Sequence, residues 1–289
     1  TGKKLLLRVN CGSQMHLEHQ IEYEAHALRL MEGSGRTPKV LYVDGSKKIL
    51  EHGVLVMEYL PGHAMDYHTE LMLAAPCLAD IHSVPIPESE EILIHPQNPL
   101  KAILEECEEM LKVYLESPLG DGEKKTYIRE LLNLGWKREA EIQLESGYQC
   151  CINTELNSTI FLINGEGKSN SLIDWEKPLF GNPAQDLGHF LAPTTTFWKT
   201  DVILTKEEME KFIDAYIKAV GNRFKTDMIR EHTHAFIPIT CLRGITWCAM
   251  AWVQYQQPDK LIFNESTFKK LNAYLDMDFL KNIRGYLEP

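Results

Sequence analysis

Asp174 closes the apolar run in "LIDWE", where a strand hands over to a loop. A carboxylate there can hold Mg²⁺ against phosphate oxygens, and its plainer role is to cap a turn. Arg8 lies in "KKLLLRVN", whose alternation sends Leu5, Leu7 and Val9 to one face and Leu6, Arg8 and Asn10 to the other. Glu24 follows Ile21 by three residues and precedes Leu28 by four, which sets an acid beside the apolar stripe of a helix. Burying that acid unpaired is costly, and Arg8 is the nearest obvious partner; a surface Glu and an edge Arg are the plainer reading. "GVLVMEYLPG" runs from an apolar strand into a turn and suits a flat ring held against the backbone of Met57, Glu58, Tyr59 and Leu60, although most such strands are simply core.

Other motifs carry less. The Gly-Lys-Ser of "INGEGKSN" is no phosphate loop, because position 162 is Leu where the motif needs Gly and no helix follows. Gly165 and Gly167 read instead as a hairpin turn. His16 and His19, three apart on one expected helix, have no evident third ligand and read as surface. Two glycosylation sequons, at Asn157 and Asn264, lack a secretory signal to give them meaning.

The elements that must position these residues fall into two regimes. The first ~60 residues alternate strand, helix and strand, with "SQMHLEHQIEYEAHALRLMEGSG" as the helix, Gly33 to Gly35 as its stop and "DGS" as a hairpin turn. "LPGHAMDY" reads as a hinge. Beyond it helices dominate, interrupted by the short strands "YQCCI", "IFLI" and "SLIDW". A length of 289 residues favours two cores over one. The net charge of -11 argues against a nucleic-acid groove. Seven cysteines, with Cys150 and Cys151 adjacent and no C-x-x-C, argue against a disulfide framework or zinc and fit a reducing cytoplasm. No apolar run is expected to reach the ~18 residues of a membrane span, so no membrane partner is expected.

In chain order, Arg8, Glu24, "LVMEYLPG", "LADIHS" and "LIDWEKPLFGNPAQDLGHF" resemble the aminoglycoside phosphotransferase/choline kinase family, a branch of the protein-kinase-like fold. The resemblance runs from Leu5 to about Phe190, and the spacing in "IDWE" to "GNPAQDL" is its most specific part. It implies an α+β, two-lobed fold: a small strand-rich N-lobe over residues 1–61 and a mostly helical C-lobe over 62–289. The family's first two strands and glycine-containing loop are expected before Thr1. It further implies ATP and Mg²⁺ as cofactors and a hydroxyl on a small molecule as acceptor. Asp174 then becomes the main Mg²⁺ ligand, Arg8 the phosphate contact, and Asp186 the brace of the catalytic loop.

Sliding "NTELNSTIFLI" beneath the family's His-Gly-Asp-Leu-His-Pro-Gly-Asn loop puts Glu155 on the catalytic Asp, Leu156 on the Leu and Ile160 on the metal-binding Asn. A shifted register puts Asn153 on the catalytic Asp and Ser158 on the Asn; the first keeps an acid and is preferred. Ile160 offers no oxygen, so Asn157, Thr159 and Glu176 are the nearby donors, and Asn157 is assigned to the metal with Asp174. The alternative function is a pseudokinase-like module that binds nucleotide, or serves structure only, without phosphotransfer. Trp247, Trp252 and Tyr255 lie where the family builds its acceptor pocket, yet aromatics at helical spacing are more often core.

Overall fold

A computed structural model describes residues 2–13, 15–48, 50–142, 144, 147–257 and 263–288. Gln14, Ile49 and Gln143, which the expected helices and strands include, lie outside the described residues. The order is β1 (Leu5–Asn10), α1 (Gln20–Met31), β2 (Val40–Asp44), β3 (Gly53–Glu58), β4 (His63–Ala64), α2 (Leu71–His82), α3 (Pro99–Glu116) and α4 (Gly122–Glu141). It continues with β5 (Cys150–Ile152), β6 (Phe161–Ile163), β7 (Ser171–Leu172), β8 (Leu179–Gly181), α5 (Pro183–Leu191) and α6 (Pro193–Lys199). Four helices end the chain: α7 (Lys206–Val220), α8 (Ile229–Tyr255), α9 (Glu265–Tyr274) and α10 (Met277–Leu287). The expected small strand-rich beginning and helical remainder are both present.

β1, β3 and β2 form an antiparallel sheet with β3 in the centre, and Arg8 stands opposite Leu55. The alternation of β1 is as expected: Arg8 turns to α1, while Leu5, Leu7 and Val9 are exposed on the other face. α1 begins later than expected. His16 has φ +56, outside the helical region, and Ser13 Oγ accepts from the Met15 and Leu17 amides, which holds a loop up to Gln20. His16 and His19 therefore do not share a helix. Met31 ends α1 and Gly35, at φ +66, closes the short 3₁₀ turn that follows. The turn after Asp44 forms, with the Ser46 amide on Asp44 Oδ1, but the paired strand resumes only at Gly53. The expected hinge contains β4, a two-residue strand that pairs His63 with Ile163.

β4, β6 and β7 make a second small sheet, and β5 pairs with β8. Gly165 and Gly167, at φ +115 and +69, turn the chain between β6 and β7 as read from the sequence. The helices have defined starts: Asn98 caps α3 ahead of Pro99, Asp121 caps α4, and Thr205 with Glu208 forms a capping box on α7.

By compactness the chain divides into one unit of Thr1–Pro96, Ser146–Phe190 and Thr205–Arg230, and a second of Gln97–Glu145, Leu191–Leu204 and Glu231–Pro289. The first has a core around Phe161, Phe190 and Phe212, whose rings lie 5.1 and 5.2 Å apart. In the second, Trp247 meets Trp198 edge-on, Trp252 donates to Asn272 Oδ1, and Tyr255 stacks on Phe268. These aromatics thus pack on other side chains. α8 corrects one expectation: with a mean hydropathy of 1.4 it is long and apolar enough to cross a membrane by length and composition. Yet 72% of that stretch is buried within the protein, as in a core helix.

Candidate active site

Asp174 and Asp186 are both tied to a turn at residues 153–155 in the first unit. Asp186, in α5, is fully buried and accepts three donors: the Asn153 amide at 2.8 Å, the Thr154 amide at 2.7 Å and His82 Nε2 at 3.2 Å. A carboxylate only accepts, so the fit requires the Nε2–H form of His82, whose Nδ1 then receives Tyr216 Oη at 2.8 Å. The main chain of α2 joins in, because the His82 carbonyl accepts from Tyr148 Oη. A buried chain from α7 through α2 and α5 thereby sets the backbone of the turn.

Thr154 sits at φ +70 and Asp174 at φ +64, conformations that cost a residue with a Cβ about 1–3 kcal/mol. Both are held from outside. Thr154 Oγ1 donates to the Lys177 carbonyl at 2.7 Å, and Asn153 Nδ2 donates to the Asp174 carbonyl at 2.7 Å. Asn153 Oδ1 also accepts the Glu155 amide at 3.1 Å. The two carboxylates Glu155 and Asp174 are thus placed by one polar side chain between their backbones. Gln20 and Tyr23 of α1 clamp the next residues through the carbonyls of Glu176 and Pro178, at 2.6 and 2.7 Å.

Arg8 stands among three acids. Its Nε lies 2.9 Å from Glu24, its two terminal nitrogens 3.1 Å from Asp174 and 2.7 Å from Glu176. The expected Arg8–Glu24 pair is present, as a charge contact and not an aligned hydrogen bond. Burial, with Asp174 and Glu176 adding to it, pushes the Glu24 carboxyl up to about 7 against the pull of Arg8. Glu176 is raised by burial and by Asp174. Burial works against the Arg8 charge, but the three acids outweigh it and leave its pKa raised. Asp174 and Glu176 keep 42% and 25% of their side chains exposed, so solvent-borne groups can reach them.

The remaining expected residues are placed as follows. Glu155 takes Lys177 Nζ on Oε1 at 2.9 Å. Asn157 Oδ1 receives the Thr159 amide and hydroxyl, at 3.0 and 2.6 Å, and so caps the 3₁₀ turn Ser158–Ile160. Ile160 is buried, and its carbonyl accepts the Ile173 amide next to Asp174. Met57 is buried within β3, and the Glu58 amide donates to the Lys39 carbonyl at 2.9 Å. Tyr59 is half exposed beneath Lys4, whose ammonium lies 5.6 Å from the ring centre.

A family model described as "Phosphotransferase enzyme family" matches residues 1–231, which contain every residue of this site. The chain belongs to the phosphotransferase enzyme family. Among solved structures, a putative aminoglycoside phosphotransferase from Ralstonia eutropha JMP134 is similar with a TM-score of 0.69 at 12% identity, covering 99% of this chain and 86% of its own. An ethanolamine kinase from Plasmodium vivax matches with a TM-score of 0.66 at 16% identity, over 98% of this chain and 77% of its own. Spectinomycin phosphotransferase, solved with ADP and spectinomycin, matches with a TM-score of 0.63 at 14% identity, over 99% and 86%. At such identities the likeness establishes a kinase-like fold. No curated protein matches the sequence.

Lys177, Thr154, Gln20, Tyr23, His82 and Tyr216 are partners in this site to which sequence reading gave no role. Lys177 left a signal, since it directly follows the "DWE" that drew attention to Asp174, and His82 lies in the quoted "LADIHS".

Proposed function

We propose that the protein transfers the γ-phosphoryl group of ATP, with Mg²⁺, to a hydroxyl of a small molecule. One observation carries this: Asp186 holds the Asn153 and Thr154 amides, and the next residue, Glu155, is tied through the Asn153 side chain to the backbone of Asp174 in the Arg8 cluster. That supports the register with Glu155 as base over the one with Asn153, whose amide is spent between two backbones. Glu155 takes the acceptor proton as the hydroxyl oxygen bonds to phosphorus, and Arg8, held by Glu24, steadies phosphate.

The cluster fits a divalent cation. Three carboxylates share one guanidinium, and the two exposed acids are hard oxygen donors of the kind Mg²⁺ takes alongside phosphate oxygens. Among the described residues no group of three or more His, Cys, Asp or Glu side chains is placed to hold a metal, so phosphate oxygens and water would complete the coordination once Arg8 yields the two acids. Asp174 and Glu176 would hold the ion; Asn157, assigned from the sequence, would first have to give up its cap. Mg²⁺ would supply charge neutralisation along the phosphates. The adenine is assigned to the chain at the end of β3, through the backbone of Tyr59 and Leu60, because the Glu58 amide is engaged. The lobe division at residues 61 and 62 and a reducing, cytoplasmic setting belong to the same proposal; the seven free cysteines, six of them buried, support the latter.

Calorimetric titration with ATP, with and without Mg²⁺, tests the proposal; Asp174→Ala should abolish the Mg²⁺ dependence, and an unchanged dependence removes Asp174 from its role. A second reading, nucleotide binding without transfer, is favoured by the buried aliphatic Ile160 at the second metal position. Consumption of ATP over a panel of hydroxyl acceptors separates the two.

A further inference from the structure

We propose that Lys177 is a phosphate-contacting residue, which swings from Glu155 to the γ-phosphoryl oxygens of bound ATP and supplies positive charge where Ile160 supplies no metal ligand. The inference rests on the nucleotide reading above and adds a residue to it. Lys177 Nζ lies 2.9 Å from Glu155 Oε1 with 13% of its side chain exposed, whereas Glu155 keeps 33%. A lysine so enclosed is stable only beside an anion, and the carboxylate it meets is the one assigned as base. Its own carbonyl receives Thr154 Oγ1, so the residue is anchored to the turn at the backbone while its ammonium remains on a four-carbon stem. Glu155 takes one of three ammonium donors; the other two match the several oxygens of a phosphoryl group.

The site needs such a charge. Phosphoryl transfer depends on neutralising negative charge as the acceptor oxygen bonds to phosphorus and the bond to the bridging oxygen breaks, its electron pair leaving with ADP. Arg8 is shared among three acids, and Ile160 brings no ligand. In the transfer Lys177 keeps its proton; the acceptor proton passes to Glu155, whose carboxylate the lysine has oriented. A residue that merely stapled the turn would affect all nucleotides alike.

Titrations of the full chain with ADP and with a non-hydrolysable ATP analogue, both with Mg²⁺, decide the point. Lys177→Met should weaken the analogue by about 10- to 100-fold, the size of a lost charge-assisted hydrogen bond, and ADP by far less. Lys177→Arg should recover part of the loss. Glu155→Gln frees the lysine and should bind the analogue more tightly than wild type, a check that stands even where Lys177→Met fails to fold. Equal loss of both nucleotides, no loss of either, or weaker analogue binding by Glu155→Gln overturns the role of Lys177 while leaving the nucleotide site intact. A wild-type chain that binds neither nucleotide overturns both.

Discussion

Replacing Asp186 by Asn tests the brace on which the site depends. The side chain is fully buried and accepts from the Asn153 amide, the Thr154 amide and His82 Nε2, at 2.8, 2.7 and 3.2 Å. Asparagine has one acceptor oxygen and one NH₂ group, so at least one of the three donors faces another donor in a place water does not reach. Leaving one buried donor unsatisfied costs about 1–3 kcal/mol, and exchanging charged for neutral acceptors adds about 1 kcal/mol more. The expected loss is therefore about 2–4 kcal/mol, or roughly 3–7 °C in the melting temperature of a protein of this size. The strained Thr154 would relax with its anchor gone and carry Glu155 with it. A displacement of about 1 Å at a reacting group costs on the order of 10²-fold in rate. Urea unfolding and ATP turnover measure the two effects. Stability within about 0.5 kcal/mol of wild type, with turnover intact, refutes the view that Asp186 sets this turn.

Arg8→Ala should destabilise by about 1–3 kcal/mol, because it leaves the 1%-exposed Glu24 carboxyl without its cation and drives it to take up a proton; Arg8→Ala with Glu24→Gln should recover much of that, and additive effects in the cycle would show no communication. Glu155→Gln should cut turnover by about 10²–10⁴-fold, whereas Asn153→Asp, activating under the other register, should lower both stability and turnover by setting a carboxylate against the Asp174 carbonyl. Glu90 is pushed up by burial, but the Leu93 amide, His26 and the Ile92 amide outweigh this and hold it below the ordinary carboxylate value. Its folded pKa is depressed, so it contributes stability above the ordinary value of 4.5 that is lost as pH falls through the folded value. Glu90→Gln should remove that part of the acid slope in unfolding titrations, and an unchanged slope refutes the assignment.

Much was legible locally. Alternation alone separated Arg8 from Leu5, Leu7 and Val9 on opposite faces of β1, and the structure showed that the apolar face is the exposed one. Helical spacing alone put Glu24 against the core, and two glycines marked the turn between β6 and β7. Such features depend on a period of two or 3.6 residues or on a single backbone conformation, which neighbouring residues carry. The same reasoning erred where a side chain competes with the backbone. Ser13 and the positive φ of His16 hold off α1 until Gln20, although the hydrophobic period begins earlier.

The site's working contacts are of another kind. His82 meets Asp186 across 104 positions, Arg8 meets Asp174 across 166, and Lys177 reaches Glu155 across 22. Family likeness named Asp186 as a brace, but not the His82–Tyr216 pair behind it. Nor does any spacing say that the Asn153 side chain hydrogen-bonds the backbones at both carboxylates. Those facts follow from how separate elements pack, because a buried polar group accepts whichever donor the fold brings within 3 Å, however distant in sequence. The sequence by itself therefore determined which residues were chemically able and which faces they occupy. Only tertiary structure decided which acid each cation serves, and that assignment is what turns a row of motifs into a site.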